Sequence, residues 1–339
     1  MIFSHLALAL LPVCLFLLSL LYLDSYKLVR LQTIAQLVII GCLAAALSLF
    51  LNSILEAHGV DRRLLLRFGA PAVEEILKAL PLVFLIRTKR IGFLIDAAIF
   101  GFAIGTGFAV VENFYYLSAL THASPALWVV RGFGTAIMHG GTTAILAITT
   151  VALSERKRVA AAVRPPALWL FVPGLLMAFA IHSLFNHFVV SPVTSAIVIV
   201  LLLPPMLVLV FSQSERYLQS WLGSGFDLDS ELLRAIGSGE FGQSPAGEYL
   251  QSLRDHFDGA VLADMLCYLR MHSELSLRAK GVLMLHENGF SVKKDPDIAE
   301  KLAELRYLEK SIGKTGELAL APIMNRSSHD GWQLRMLEG

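Results

Sequence analysis

Only 16% of the 339 residues are charged and 55% are hydrophobic, whereas a soluble domain has roughly 25% charged residues. This composition excludes an ordinary soluble domain and indicates an integral membrane protein. The formal net charge of +1 argues against a nucleic-acid partner, because the chain has no basic excess to neutralise phosphates.

Runs of roughly 20 apolar residues predict about seven membrane-spanning helices. The first run has no basic residue ahead of it and is followed by Lys27 and Arg30, which is typical of an uncleaved span rather than of a cleaved signal peptide. Only Ser191 and Pro192 separate the last two runs, so one broken element is an alternative there. The predicted spans cover residues 6–23, 33–51, 70–86, 94–118, 127–153, 167–190 and 193–212.

The basic residues between these spans predict how the chain is oriented. Lysine and arginine favour the cytoplasmic face of a membrane, and one side of the predicted bundle holds most of them, at 27–30, 87–90 and 156–164. We therefore expect a multi-pass protein of the cell membrane, with its N-terminus outside and its C-terminal tail in the cytoplasm.

After Ser212 the sequence changes to mixed polar and apolar residues. Apolar residues recur at helical spacing over residues 245–285, and the preceding "GSGEFGQSPAG" has the composition of a linker. The prediction is an all-α chain with two parts. Residues 1–212 form a polytopic helix bundle, and residues 213–339 form a small helical region, soluble or on the membrane surface, to which the sequence assigns no role.

Four of the predicted spans carry polar or ionisable side chains away from their ends. Such residues are costly inside a membrane, and their default interpretation is functional. Helical spacing puts Lys78 within one turn of both Glu74 and Glu75, and it puts His182 on the same face as Asn186. The candidate site residues are Glu74, Glu75, Lys78, Glu112, His139, His182 and Asn186.

The depth of these groups in the membrane is a separate argument for one shared site. In the predicted topology Glu75 lies about five residues from the outer end of its span and Glu112 about six, whereas His182 lies about eight and His139 about twelve. At roughly 1.5 Å per residue, all four belong to the outer half of the bilayer. Helices of alternating direction therefore bring them to a similar level.

Two glutamates and two histidines can hydrolyse a bond in two ways. In the first, a divalent metal, most plausibly zinc, is bound by His139, His182 and one carboxylate, for which we take Glu112, and the metal activates a water molecule. In the second, no cofactor is needed: a glutamate takes the proton from water, while His182 and Asn186 stabilise the oxyanion. Both routes remain open from the residues alone.

These residues resemble the motifs of the PrsW family of intramembrane proteases, within the wider group that includes the CAAX prenyl endopeptidases. That family carries a double glutamate with a basic residue in one span, Phe-x-x-x-Glu in the next, then a histidine, and then His-x-x-x-Asp or Asn. The matching residues are Glu74-Glu75-Ile76-Leu77-Lys78, Phe108 with Glu112, His139, and His182 with Asn186. The resemblance covers roughly residues 30–212 and leaves the tail outside.

The resemblance implies an intramembrane endopeptidase that cuts a membrane protein near the extracytoplasmic boundary of the lipid bilayer. For PrsW itself the implied substrate is an anti-sigma factor, a single-pass membrane protein. Its site-1 cleavage is the first step of a stress response. In our leading hypothesis Glu75 is the general base and Glu74 and Lys78 organise it. Glu112, His139 and His182 complete the site.

Two other classes of function compete with this hypothesis. Chains of acidic and histidine side chains within spans also occur in ion-coupled transporters and proton relays, but such proteins often show repeated halves, and this sequence has no internal repeat. A sensor or scaffold that is merely anchored by its spans leaves the four polar motifs unexplained. We therefore rank the peptidase first and the transporter second.

Overall fold

The computed structural model describes residues 2–120, 122–155, 166–290, 292, 295–324 and 329–338. Within these ranges the chain forms helices and short connections and contains no β-strand, so the predicted all-α fold is confirmed. The basic loop at 156–164, which contributes to the predicted orientation, lies outside the described residues. The chain divides into two compact units, the first ending at Glu215 and the second beginning at Arg216.

The first unit holds the apolar helices. It contains α1 (Ile2–Tyr22), α2 (Leu31–Ala57), α3 (Arg62–Leu64), α4 (Ala70–Arg87), α5 (Leu94–Ala119), α6 (Pro125–Val129), α7 (Ile137–Glu155), α8 (Val172–Asn186) and the first part of α9 (Pro192–Ser238).

Six helical segments of the described chain are long and apolar enough to cross a membrane. They correspond to six of the seven predicted spans, and they are Phe3–Tyr22, Leu31–Ala57, Leu94–Ala119, Pro125–Glu155, Leu168–Asn186 and Pro192–Ser238. The other predicted span is the 18-residue helix α4, which carries four charged side chains. Its crossing of the membrane stays a prediction.

The last two predicted spans are two separate helices rather than one broken element. Helix α8 ends at Asn186 and α9 begins at Pro192. In the turn between them Phe188 has a φ of 50°, which a helix cannot accommodate.

Helix α5 lies at the centre of the first unit and is buried along most of its length. Its glycines allow neighbouring backbones to approach closely: a Cβ atom on Gly105 would lie 2.2 Å from the carbonyl oxygen of His139 on α7. On another face, a Cβ on Gly41 of α2 would lie 2.0 Å from the carbonyl oxygen of Ile104. Small residues at crossings are typical of membrane helix bundles, and here they bring α7 against α5 at the level of His139.

In the part of the chain that the structure describes, two short π-helices interrupt the α-helical backbone. The first, π1 (Leu65–Gly69), leads directly into α4, and the second, π2 (Val130–Ala136), leads directly into α7. Single π-helical turns are rare and occur often at functional sites. In this chain both precede helices that carry candidate site residues.

The second unit has its own apolar core, in which Met265, Leu269 and Leu275 are fully buried. Its helices after α9 are α10 (Pro245–Ser252), α11 (Gly259–Glu287), α12 (Ile298–Met324) and α13 (Asp330–Glu338), and α12 bends at Gly313. The predicted helical character of the tail is confirmed. The assignment of residues 1–212 to a polytopic bundle and of residues 213–339 to a separate helical region stays a prediction.

Candidate active site

Glu75 and Lys78 form a fully buried ion pair on α4. They are three residues apart, so one helical turn brings them to the same side, and the Nζ atom of Lys78 donates to Oε1 of Glu75 at 2.7 Å. Both side chains have 0% exposure. A charged pair is tolerated in such an interior only when further hydrogen bonds satisfy it, and the neighbouring helices supply them.

Two further donors reach the same oxygen of Glu75. The Nδ1 atom of His182, from α8, lies 2.7 Å from Oε1, and the hydroxyl of Thr142, from α7, donates to it at 3.3 Å. Because a carboxylate oxygen only accepts, the Nδ1 atom of His182 carries the proton in this contact. In the neutral ring the Nε2 atom of His182 then keeps its lone pair.

His139 is held through both of its ring nitrogens. Its Nδ1 atom lies 3.2 Å from Nζ of Lys78, and its Nε2 atom lies 2.9 Å from Oε2 of Glu112 on α5. An ammonium group only donates, so Nδ1 accepts and the Nε2–H group donates to Glu112. The ring also packs on Phe108, with centroids 4.9 Å apart.

Two carboxylate oxygens in this cluster have no hydrogen-bond partner in the described part of the chain. They are the Oε2 atoms of Glu74 and Glu75, and both are buried. The free oxygen of Glu74 lies 3.7 Å from Nε2 of His182, a separation that a bridging water or ion spans better than a direct contact. An unsatisfied buried acceptor is costly, so these atoms are suited to a ligand.

The chemistry of the donors fits a divalent metal. Glu74, His139 and His182 can each offer one ligand atom, and these atoms all lie within 4.8 Å of one another. Two imidazoles and a carboxylate are a ligand set that zinc hydrolases use. The sequence had put Glu112 in this set, but the Oε2 atom of Glu112 contacts His139 and Arg131, and Glu74 is the carboxylate of the group.

Asn186 makes a contact outside this cluster. Its side-chain amide donates to the carbonyl oxygen of Leu66 in π1 at 3.1 Å, and the hydroxyl of Ser183 donates to the carbonyl of Arg67 at 2.7 Å. Both contacts join α8 to π1. The observed contact of Asn186 therefore anchors a helix, and its predicted oxyanion role requires the amide to leave Leu66.

Sequence reasoning missed two residues of the cluster, Thr142 and Arg131. Thr142 follows His139 by three residues, so helical spacing alone could have put it on the same face. Arg131 lies inside the predicted span 127–153, and an arginine inside an apolar run is itself a functional signal. Its guanidinium lies 3.3 Å from Oε2 of Glu112.

Comparison with known proteins gives a family for this chain. A family model described as PrsW family intramembrane metalloprotease matches residues 30–211, a range that includes every candidate site residue and more than half of the chain. No curated protein and no solved structure matches it.

Proposed function

The chain belongs to the PrsW family of intramembrane metalloproteases, and from this premise we propose that it hydrolyses a peptide bond of a single-pass membrane protein near the extracytoplasmic boundary of the membrane. The observation that carries the proposal is the buried cluster in which one oxygen of Glu75 is fixed by three donors while the other is free.

Glu75 is the general base of this proposal. Contacts from Lys78, His182 and Thr142 fix the plane of its carboxylate through Oε1, so Oε2 is presented in one orientation. A base that is positioned before the substrate arrives lowers the barrier more than a mobile one. Oε2 is the atom that receives the proton of the attacking water.

Glu74, His139 and His182 are the proposed ligands of a divalent metal, with zinc the best match to the donor set. For His139 to be a ligand, its Nδ1 atom must lose the contact with Lys78. When bound, such an ion lowers the pKa of a coordinated water and polarises the scissile carbonyl. The protein contributes the orientation of the ligands, because Glu75 accepts from Nδ1 of His182 and so directs the opposite nitrogen away from itself. A carboxylate in this position is a common support for a ligating histidine.

The contacts favour this route over the metal-free one. In the metal-free route the Nε2 atom of His182 has to donate to the oxyanion, but the proton of the neutral ring is at Nδ1, against Glu75. Asn186, the other oxyanion donor of that route, donates to Leu66. A lone pair at Nε2 of His182 is what a metal ligand requires.

Zinc binding distinguishes the two carboxylates that compete for the ligand role. We expect the Glu74→Gln variant to bind zinc at least about 100-fold more weakly than the unmodified chain, since changes to supporting residues alone cost 10–100-fold. Glu112→Gln, at the carboxylate that the sequence had favoured, keeps an oxygen that can accept from His139 and should weaken binding by no more than about 10-fold, the lower end of the cost of changing a supporting residue. Zinc titration of metal-stripped protein in nanodiscs measures both, with Asn186→Ala as a control. Normal binding by Glu74→Gln contradicts the assignment.

The substrate proposed here is the extracytoplasmic boundary region of a single-pass protein, and an anti-sigma factor is the specific candidate. Its support is the predicted depth of Glu75, Glu112, His139 and His182 in the outer half of the bilayer, together with the family's activity. The N-terminus is then outside and the tail in the cytoplasm.

A comparison of protein N-termini tests this function in cells. Cells that produce the wild-type chain, with and without envelope stress, should contain a new N-terminus at the outer edge of another protein's span. Cells with the Glu74→Gln, Glu75→Gln double variant at matched levels should lack it. An identical set of N-termini in both cells contradicts the proposal and favours the ion-coupled transporter, for which ion flux is then measured.

A further inference from the structure

Arg131 lies in π2, between α6 and α7, and is 9% exposed. An arginine inside a span is costly unless its charge and its donors are used. The family motifs quoted above do not include this residue, which lies eight residues before His139 in the same helical segment. Arg131 nevertheless contacts Glu112 directly, and Glu112 in turn contacts His139.

The guanidinium of Arg131 is held on three sides. Its Nε atom donates to Oδ1 of Asn113 at 2.7 Å, its Nη2 atom lies 3.3 Å from Oε2 of Glu112, and the group lies over the ring of Tyr116, 3.9 Å from the centroid. A planar guanidinium with several fixed partners is far more constrained than a lysine ammonium. Arg131 is therefore a rigid cation beside Glu112.

The oxygen of Glu112 that faces Arg131 also accepts from His139. Oε2 lies 2.9 Å from Nε2 of His139 and 3.3 Å from Nη2 of Arg131. The first contact is a hydrogen bond, whereas the second is an ion pair in which Nη2 makes no hydrogen bond to any described residue. The arginine thus sets the position of the carboxylate against which the His139 ring is oriented.

Helix α1 supports Arg131 from the other side, although it precedes the residues that match the family, 30–211. The amide of Asn113 donates to the carbonyl oxygen of Ala9 at 2.9 Å. A Cβ atom on Gly132 would lie 2.0 Å from the carbonyl oxygen of Leu8, so α1 and π2 are in backbone contact. A continuous set of contacts therefore leads from α1 through Asn113 and Arg131 to Glu112.

We infer that Arg131 is a positioning residue of the peptidase site, which fixes Glu112 and through it the ring of His139, and that α1 and Asn113 hold Arg131 in place. This inference rests on the proposed function. It adds a residue that touches neither substrate nor the attacking water and that acts through Glu112.

Arg131→Ala tests the inference through chemical rescue. Cleavage of a single-pass substrate by the purified variant in nanodiscs should fall about 10–100-fold, the usual cost of losing a supporting residue, mainly in kcat. Added guanidinium ion should restore a substantial part of the loss, because it can occupy the vacated space beside Glu112. Arg131→Lys should retain intermediate activity, since it keeps the charge but not the planar contacts.

Arg63→Ala, which removes an exposed arginine, is the matched control and should cleave normally with and without guanidinium. Normal cleavage by Arg131→Ala overturns the inference, and so does a loss that neither guanidinium nor lysine relieves, because that pattern indicates a merely structural role. If the unmodified chain itself does not cleave, the proposed function fails instead, so the two failures are distinguishable.

Discussion

Replacement of Glu75 by glutamine should lower kcat for cleavage of a purified single-pass substrate by about 10²–10⁴-fold, the usual contribution of a general base, with little change in KM. In the unmodified chain Lys78, His182 and Thr142 donate to Oε1 of Glu75. The amide oxygen of the glutamine can still accept from all three. The orientation of His182 therefore survives. The proton acceptor at Oε2 and the charge opposite Lys78 are lost, and the second loss also lowers stability. Single-turnover kinetics in nanodiscs separate the chemical step from product release.

The Glu75→Ala variant distinguishes a general base from a residue that only orients His182. Alanine removes both the base and the acceptor that orients His182, whereas glutamine removes the base alone. If Glu75 is the base, both variants are nearly inactive. If Glu75 only orients His182, glutamine keeps most of the activity and alanine does not, and the assigned role is contradicted. Glu56→Gln, at a carboxylate with 54% side-chain exposure, should cleave like the unmodified chain.

The proximity of the polar side chains could be predicted from the sequence because membrane depth restricts them. Alternating helices put Glu75, Glu112, His139 and His182 at one level, and the structure has contacts that connect all four. The helical character of the chain and the positions of the apolar segments followed from composition and run length in the same way. The catalytic roles of these residues stay predictions.

Depth could not reveal which face of a helix each residue occupies. Glu74 and Glu75 are adjacent, so their side chains point about 100° apart, and the choice between them depends on how α4 is rotated against α7 and α8. The sequence put Glu112 in the metal group, but the group of close ligand atoms contains Glu74. Rotation is set by packing, which a single sequence does not specify.

The π-helices are a second feature that local patterns did not predict. A π-helical turn changes the register of the side chains that follow it, and π2 carries Arg131 to Glu112, which has no periodic relation to it. Likewise, Asn186 finds its partner in the carbonyl oxygen of Leu66 within π1. Both contacts depend on backbone geometry that forms only when the helices pack.

Lys78→Met should have the largest effect on stability. It leaves Glu75 as a buried carboxylate without its cation, and breaking a buried pair from one side costs about 3–5 kcal/mol. Methionine is similar in length to lysine, so little of the loss comes from an empty space. Denaturant titration of the purified variant in detergent measures the change in the free energy of unfolding.

The Lys78→Met, Glu75→Gln double variant separates the structural role of the pair from its chemical role. With both charges removed, no unpaired ion remains in the interior, and most of the lost stability should return. Cleavage should not return, because the base is absent. A double variant no more stable than Lys78→Met alone would show that the buried charge is not the cause of the loss. For comparison, the exposed pair of Arg62 and Glu56 should show a coupling free energy of only about 0–1 kcal/mol. Water can replace either partner of that surface pair, whereas the side chain of Glu75 is fully buried.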